Sequence, residues 1–258
     1  MSRFTRAILR RPGPTFADGL TVSGGGGPDL PRALAQHARY ERALEACGLT
    51  LTVLPADERY PDGTFVEDVA VLTPRAAIVT RPGAPSRQGE AESIERTLDG
   101  FFTTVLRLQA PSTVDGGDVC ECDGLFLIGV SARTSEAGAA ELAGILTGLG
   151  YRAATIDIRP SRTLLHLKTG ISYLGEGRLA VAGEVPDVPA LKGFERVQVD
   201  PAESYAANCV RVNDRVLVAE GHPRFAERLA ALGYDPLPLE MSEFRKMDGG
   251  LSCLSLRF

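Results

Sequence analysis

The sequence predicts an α/β fold in which one small unit is repeated and the repeats are arrayed radially and closed into a ring. Two observations predict it. One pattern recurs about five times: a short polar motif, a strand, a tight turn, a second strand, usually a helix, and a third strand, at a period of about 42 to 50 residues. The two ends of the chain are also incomplete in complementary ways. A last copy begins at Gly249-Gly250 and stops at Phe258, while the N-terminus supplies a strand at 4–10, a helix at 30–47 and a strand at 49–54. Joined, they complete one unit.

The elements follow in order. The first internal copy has a strand at 66–72, a turn at Thr73-Pro74-Arg75, a strand at 76–81, a helix near 90–101 and a strand at 104–108. The clearest copy starts at Asp115-Gly-Gly-Asp, runs 119–122, turns at Asp123-Gly124 and continues 125–129. That dipeptide is a strong hairpin signal, because it tolerates the positive φ angles that a two-residue turn needs. Its helix spans 135–149: Ser135 suits the N-cap, and Leu142, Ile145, Leu146 and Leu149 fall at i, i+3, i+4 and i+7. Gly150 suits the position after the helix, before a strand at 151–156. A copy near Gly170 has the weakest helix. The copy near Asn208 has strands at 209–212, 216–219 and 234–239, a turn at Asn213-Asp214 and a helix at 223–232.

Composition narrows the function. A chain of 258 residues that is 44% hydrophobic can bury a large core without disulfides or metals, and it reads as a single domain spanning 1–258. Its 28 basic and 33 acidic residues are interspersed, for a formal charge of −5. There is no basic stripe for nucleic acid and no polybasic patch for a membrane surface, and small cationic ligands suit it better. Five cysteines with no signal peptide at Met1-Ser2-Arg3-Phe4 read as reduced thiols in a cytoplasm. No stretch of about 18 apolar residues is present to span a membrane.

At corresponding positions just before each inner strand stand Glu67-Asp68, Asp115 with Asp118, His166, Asn208 and Cys253. Any one of these polar residues would be explained by capping its own turn. As a set, they would bring carboxylates, an imidazole and a thiol from five distant segments to one centre. Cys253 lies in Asp248-Gly-Gly-Leu-Ser-Cys-Leu-Ser, where two glycines permit a sharp bend or close approach. Cys47, Cys120, Cys122 and Cys209 sit in or beside apolar periodic segments and read as small buried hydrophobes. Of three histidines, His37 reads as a helix face and His222 as a loop, leaving His166. Cys120-x-Cys122 with a distant histidine lacks the paired spacing of a zinc site, so no intrinsic metal and no cofactor is expected.

Several motifs together resemble the dimethylarginine dimethylaminohydrolases of the guanidino-group-modifying superfamily. They are Pro61-Asp-Gly-Thr-Phe-Val-Glu-Asp-Val-Ala-Val, Thr80-Arg-Pro-Gly-Ala-Pro-Ser-Arg, Asp115-Gly-Gly-Asp-Val, Gly129-Val-Ser-Ala-Arg-Thr, Leu165-His-Leu-Lys, Ala206-Ala-Asn-Cys and the segment from Asp248 to Cys253. The resemblance covers nearly the whole chain. It implies a five-bladed ββαβ propeller, the pentein fold, and hydrolysis of Nω-methylated arginines to citrulline. It also implies a triad of Cys253 as nucleophile, His166 as acid and base, and Asp115 orienting the imidazole. Around the substrate it implies Asp62, Glu67 and Asp68 at the guanidinium and amine, and Arg87 and Arg133 at the carboxylate. Backbone groups of Leu20 and Met247 would then take the α-amino group. The run from Gly24 to Gly27 is either a lid over this site or a flexible linker.

One position departs from the related arginine deiminases, which place an aspartate two residues after the histidine; here it is Lys168. Fewer carboxylates there would tolerate N-methyl groups better. Arginine deiminase activity remains the second reading, and a guanidine-binding module without catalysis a third. The chain would act as a monomer or a homodimer.

Overall fold

The structure is a computed structural model and describes residues 3–258. Met1 and Ser2, on which part of the signal-peptide reading falls, lie outside the described residues. In chain order the main elements are β1 (Arg6–Arg10), α1 (Leu30–Ala46), β2 (Thr50–Leu54), β3 (Ala70–Leu72), β4 (Ala77–Val79), α2 (Ala91–Leu98) and β5 (Val105–Arg107). They continue with β6 (Val119–Cys122), β7 (Leu125–Val130), α3 (Glu136–Gly148), β8 (Arg152–Asp157), α4 (Leu167–Gly170), β9 (Ile171–Gly175), β10 (Arg178–Val181) and β11 (Glu195–Gln198). Last come β12 (Val210–Val212), β13 (Arg215–Ala219), α5 (Pro223–Ala231), β14 (Asp235–Leu239), α6 (Ser242–Arg245) and β15 (Leu256–Arg257).

The described strands form five three-stranded sheets with one topology. In each, a central strand runs antiparallel to the strand before it and parallel to the strand after it: β3-β4-β5, β6-β7-β8, β9-β10-β11 and β12-β13-β14. The fifth sheet joins the chain ends. β15 pairs antiparallel with β1, which pairs parallel with β2. The repeat read from the sequence and the completion of one unit by the two termini are both present.

The chain divides into two compact units, one comprising Glu67–Asn208 and the other the residues up to Val66 with Cys209–Phe258. In the first, α3 illustrates how sequence becomes structure. Ser135 Oγ accepts from Gly138 N at 3.0 Å and caps the helix start, and Gly150, at φ +83, turns the chain into β8. Ala139, Leu142 and Leu146 are fully buried against Phe126, Ile128 and Ile78, with Ile145 and Leu149 packed at the margin. Each such leucine contributes about 1.5 to 3 kcal/mol by leaving water. The β6–β7 turn has positive φ at both Asp123 and Gly124, the geometry that its Asp-Gly pair favours. A neighbouring cluster of Leu127, Leu167, Ile171, Leu179 and Val181 underlies β9 and β10.

In the second unit, the rings of Phe16, Phe65 and Phe244 pack at centroid separations from 5.5 to 6.4 Å. Asn213, in the β12–β13 turn, ties down the N-terminal segment: its Oδ1 accepts from Phe4 N, and its Nδ2 donates to Phe4 O and Cys47 O.

One expectation is corrected. The strand read at 66–72 is a strand only at its end, because Val66–Val69 forms a 3-10 turn before β3. Val66 and Val69 are both buried at i and i+3, which is the period of that turn rather than of a strand. The Gly170 copy has the weakest helix, as its sequence predicts: only the short 3-10 turn Pro189–Leu191 stands between β10 and β11, and one further helical turn, Leu167–Gly170, directly follows His166. Thr169 Oγ1 accepts from His166 N at 3.2 Å and starts that turn.

Candidate active site

Polar residues occupy the short turn just before the first strand of every sheet. Glu67 and Asp68 lie in the 3-10 turn before β3, and Asp115 and Asp118 flank the turn Gly116–Asp118 before β6. His166 caps α4 before β9, Asn208 ends the turn Pro201–Ala207 before β12, and Cys253 lies in the 3-10 turn Ser252–Leu254 before β15.

The unit Glu67–Asn208 holds the imidazole and most of the charge. His166 Nε2 meets Asp115 Oδ2 at 3.0 Å, and the other Asp115 oxygen accepts from Gly83 N at 2.8 Å. Asp115 is 1% exposed, so its carboxylate depends on these partners. Asp68 Oδ1 accepts from Gly117 N at 2.9 Å, and its Oδ2 pairs with Arg87 Nη1 at 2.6 Å. Gly117 must remain small: a Cβ there would stand 2.9 Å from both His166 Nδ1 and Asp68 Oδ1.

Burial works against a charged His166, but the charges of Asp68 and Asp118 and the hydrogen bond to Asp115 outweigh it and hold its pKa up at about 9. The imidazole is therefore a cation at neutral pH. Burial alone would raise the Asp68 pKa, yet Arg87 and then His166 bring it down to about 2.

Asp118, the second aspartate of Asp-Gly-Gly-Asp, stands in the set that the repeat brings to one centre, though the resemblance gives it no role; it is the hub of the His166 segment. Fully buried, it accepts from Ser131 Oγ and Thr134 Oγ1 at 2.7 Å and from Leu167 N at 2.9 Å. Burial raises its pKa, and His166 and these donors counter part of that rise. The legible signal was the pairing of Asp-Gly-Gly-Asp with Val-Ser-Ala-Arg-Thr, which supplies both hydroxyls.

The two arginines read as carboxylate binders differ. Arg87 is buried, with Nε and Nη2 on the two oxygens of Glu90 at 2.9 Å and Nη1 on Asp68. A substrate carboxylate would have to add to these two acidic partners. Arg133 is half-buried, and no described carboxylate pairs with its guanidinium. Lys168 Nζ pairs with Glu67 Oε1 at 2.6 Å. The lysine that departs from the deiminase pattern thus neutralises a carboxylate read as a guanidinium contact.

Asp68, Asp115 and His166 each place one donor atom within 4.8 Å of the others, close enough to suggest a cation site. Every carboxylate oxygen of the two aspartates already has a partner within this unit, and Arg87 adds its own positive charge. Hydrogen bonding and ion pairing account for the cluster.

The other unit brings together Leu20, Asp62 and Met247. Leu20 N donates to both Asp62 oxygens at 3.0 and 3.2 Å. Gly19 has Asp62 Oδ1 and Met247 Cε against it, at 2.6 and 3.1 Å from where a Cβ would lie. The loop that follows is anchored by Thr21 Oγ1 donating to Lys246 O and Val22 N to Asp248 Oδ2. Cys253 is the partly accessible cysteine; the other four are buried, as their apolar settings predicted. Gly250 N lies 3.4 Å from its Sγ and donates toward it.

Among the described residues, no helix is long and apolar enough to cross a membrane. No family model matches the chain. The sequence is, however, 46% identical over 256 residues to N(G),N(G)-dimethylarginine dimethylaminohydrolase of Pseudomonas aeruginosa, covering 99% of this chain and 100% of that protein.

The chain belongs to the dimethylarginine dimethylaminohydrolase family.

Solved structures of dimethylarginine dimethylaminohydrolases agree. The Pseudomonas aeruginosa enzyme, as a cysteine-to-serine mutant complexed with citrulline, matches with a TM-score of 0.96 at 45% identity, covering 100% of both chains. A histidine-to-glycine form in an adduct with S-methyl-L-thiocitrulline matches with a TM-score of 0.95 at 45% identity, covering 99% of this chain and 100% of that one. The fold is the α/β pentein fold that the dimethylarginine dimethylaminohydrolase motifs implied.

Proposed function

We propose that this chain hydrolyses Nω-methylated arginines to citrulline and the corresponding methylamine or dimethylamine, with Cys253 as nucleophile and His166 as acid and base. One observation carries the chemistry. A buried imidazole is held as a cation by Asp68, Asp118 and Asp115, so that a proton is on hand for a departing amine. Family membership supplies the substrate class, since the most similar proteins carry the dimethylarginine dimethylaminohydrolase name and one was solved with citrulline.

In this reading, the Cys253 thiolate adds to the central guanidinium carbon. The C–N bond to the methylated nitrogen breaks as His166 gives that nitrogen its proton, and the amine leaves. An S-linked thiouronium remains on Cys253. Neutral His166 then takes a proton from water, whose oxygen attacks the same carbon; the C–S bond breaks, and citrulline and the thiolate are released. Asp115 keeps the imidazole in one tautomer and balances its charge in both halves of the cycle. The Gly250 N–H pointed at Sγ favours the thiolate at the start and at the end.

Around the substrate we assign Asp62, Glu67 and Asp68 to the guanidinium and amine, and Arg133 with Arg87 to the α-carboxylate. Backbone groups at Leu20 and Met247 take the α-amino group. Arg133 is the cation best suited to the carboxylate, because no acidic side chain among the described residues competes for it. We read the two compact units as one catalytic domain over residues 1–258, acting in the cytoplasm.

The test is side-by-side turnover of asymmetric dimethylarginine, monomethylarginine and arginine by the wild type and Cys253→Ser. The reading requires citrulline and the methylated amine from wild type only, with arginine much the slowest substrate. Faster turnover of arginine would make the protein a deiminase, and no turnover of any of the three would leave a binding module.

A further inference from the structure

The segment that carries Cys253 is gripped by a hydrogen-bond chain that the catalytic reading leaves unused. Tyr40, fully buried on α1, donates its hydroxyl proton to Leu251 O at 2.9 Å and lies 2.7 Å from Ser255 Oγ. Arg257 Nη1 reaches Ser255 Oγ at 2.6 Å, Ser255 O at 2.9 Å and Ser252 O at 3.3 Å. Chemistry fixes the directions. A guanidinium only donates, a carbonyl oxygen only accepts, and a tyrosine hydroxyl has one proton, which here serves Leu251. Ser255 therefore donates to Tyr40 while accepting from Arg257. The result is a one-way relay, Arg257 to Ser255 to Tyr40 to Leu251 O, in which each link polarises the next.

The relay brackets the thiol. Leu251 precedes Cys253 by two residues and Ser255 follows it by two, and Arg257 also holds the carbonyl of Ser252. Between these fixed points the chain makes a tight turn: Cys253 N donates to Gly250 O at 3.2 Å, and Gly250 N donates back toward Cys253 Sγ. The aim of that N–H depends on where the 251–252 peptides are held.

We propose that Tyr40 is a positioning residue for the nucleophile. Through Leu251 O and Ser255 it fixes the 250–253 turn so that Gly250 N–H stays directed at Cys253 Sγ and the thiolate is favoured. The proposal rests on reading Cys253 as the nucleophile. A tyrosine that only filled space in the core would act through its ring, and the hydroxyl would be dispensable.

Tyr40→Phe keeps the ring and removes the link; Ser255→Ala removes the neighbouring one. For each, the pH dependence of Cys253 alkylation by iodoacetamide is followed by peptide mass, beside kcat, KM and the thermal midpoint. We expect alkylation of Cys253 to shift to higher pH in both variants, and kcat to fall about tenfold with KM changed less than about twofold. The double variant should be no worse than the more affected single one, because both break one relay. Wild-type alkylation profiles and kcat, whatever the thermal midpoint does, would overturn the proposal, and so would fully additive losses. If Cys253→Ser kept its turnover, the nucleophile reading would fall by itself, while the alkylation profiles would still decide whether Tyr40 tunes this thiol.

Discussion

His166 Nε2 and Asp115 Oδ2 lie 3.0 Å apart, and Gly83 N holds the other oxygen of the same carboxylate so that it cannot rotate away. The pair leaves the imidazole one orientation, with Nε2 committed to the aspartate. Asp115→Asn would keep the shape but present an amide to that nitrogen. The expected result is a fall in kcat of about 10²- to 10⁴-fold, the range for losing acid–base function or its orienting group, with circular dichroism unchanged.

The pH dependence follows from the same cluster. With the His166 pKa at about 9, the proton that the proposed mechanism gives to the departing amine would be present through neutral pH, and kcat should fall on the alkaline side with an apparent pKa near that value. Stability changes in the same direction. The folded pKa lies above the unfolded value of about 6.5, so the stabilisation is complete below about pH 6.5 and is lost as pH rises through about 9. The wild-type thermal midpoint should therefore drop more steeply between pH 7 and pH 10 than that of His166→Asn. Equal slopes would mean that the folded protein does not favour the imidazolium.

Gly117 sets how closely the imidazole can approach the backbone. In Gly117→Ala the added methyl would begin 2.9 Å from His166 Cγ and Nδ1, and the ring has to move. A fall in kcat of about 10²-fold or more is expected, consistent with the sensitivity of catalysis to displacements near 1 Å. Wild-type kinetics in this variant would show that the ring position is not critical.

Lys168 is expected to matter twice. Lys168→Met deprives the buried Glu67 carboxylate of its 2.6 Å ion-pair partner and should cost about 1 to 3 kcal/mol in urea unfolding. Loss of the Lys168 charge beside Glu67 should also raise the relative turnover of arginine against asymmetric dimethylarginine, as measured by the ratio of kcat/KM values.

Much of this was legible in the sequence, and for identifiable reasons. The hairpin at Asp123-Gly124, the cap at Ser135 and the apolar spacing of α3 are local signals, and each element formed within one or two residues of its predicted bounds. Val66–Val69 reads as strand because its valines run on into the apolar Ala70–Leu72, yet it forms a 3-10 turn. The repeat, which puts a polar residue before every inner strand, makes His166 and Asp115 legible as members of one set, while their pairing comes from the resemblance to the dimethylarginine dimethylaminohydrolases. The position of Asp118 at the centre is legible in the same way, but its part in holding the His166 segment is not, because its partners Ser131 and Thr134 come from a different segment. Nor does sequence spacing reveal that Glu90 and Asp68 take up Arg87, or that Lys168 meets Glu67, since these are contacts between turns of different repeats or turns of irregular shape.

The central claim is that Cys253 attacks the substrate carbon. The most direct measurement is intact and peptide mass of His166→Gly after incubation with S-methyl-L-thiocitrulline, the combination in which a close relative was solved as an adduct. The account predicts a covalent adduct on the peptide containing Cys253 and on no other cysteine, absent from Cys253→Ser. An adduct elsewhere, or an unmodified Cys253 in an enzyme that turns over methylated arginine, would contradict it.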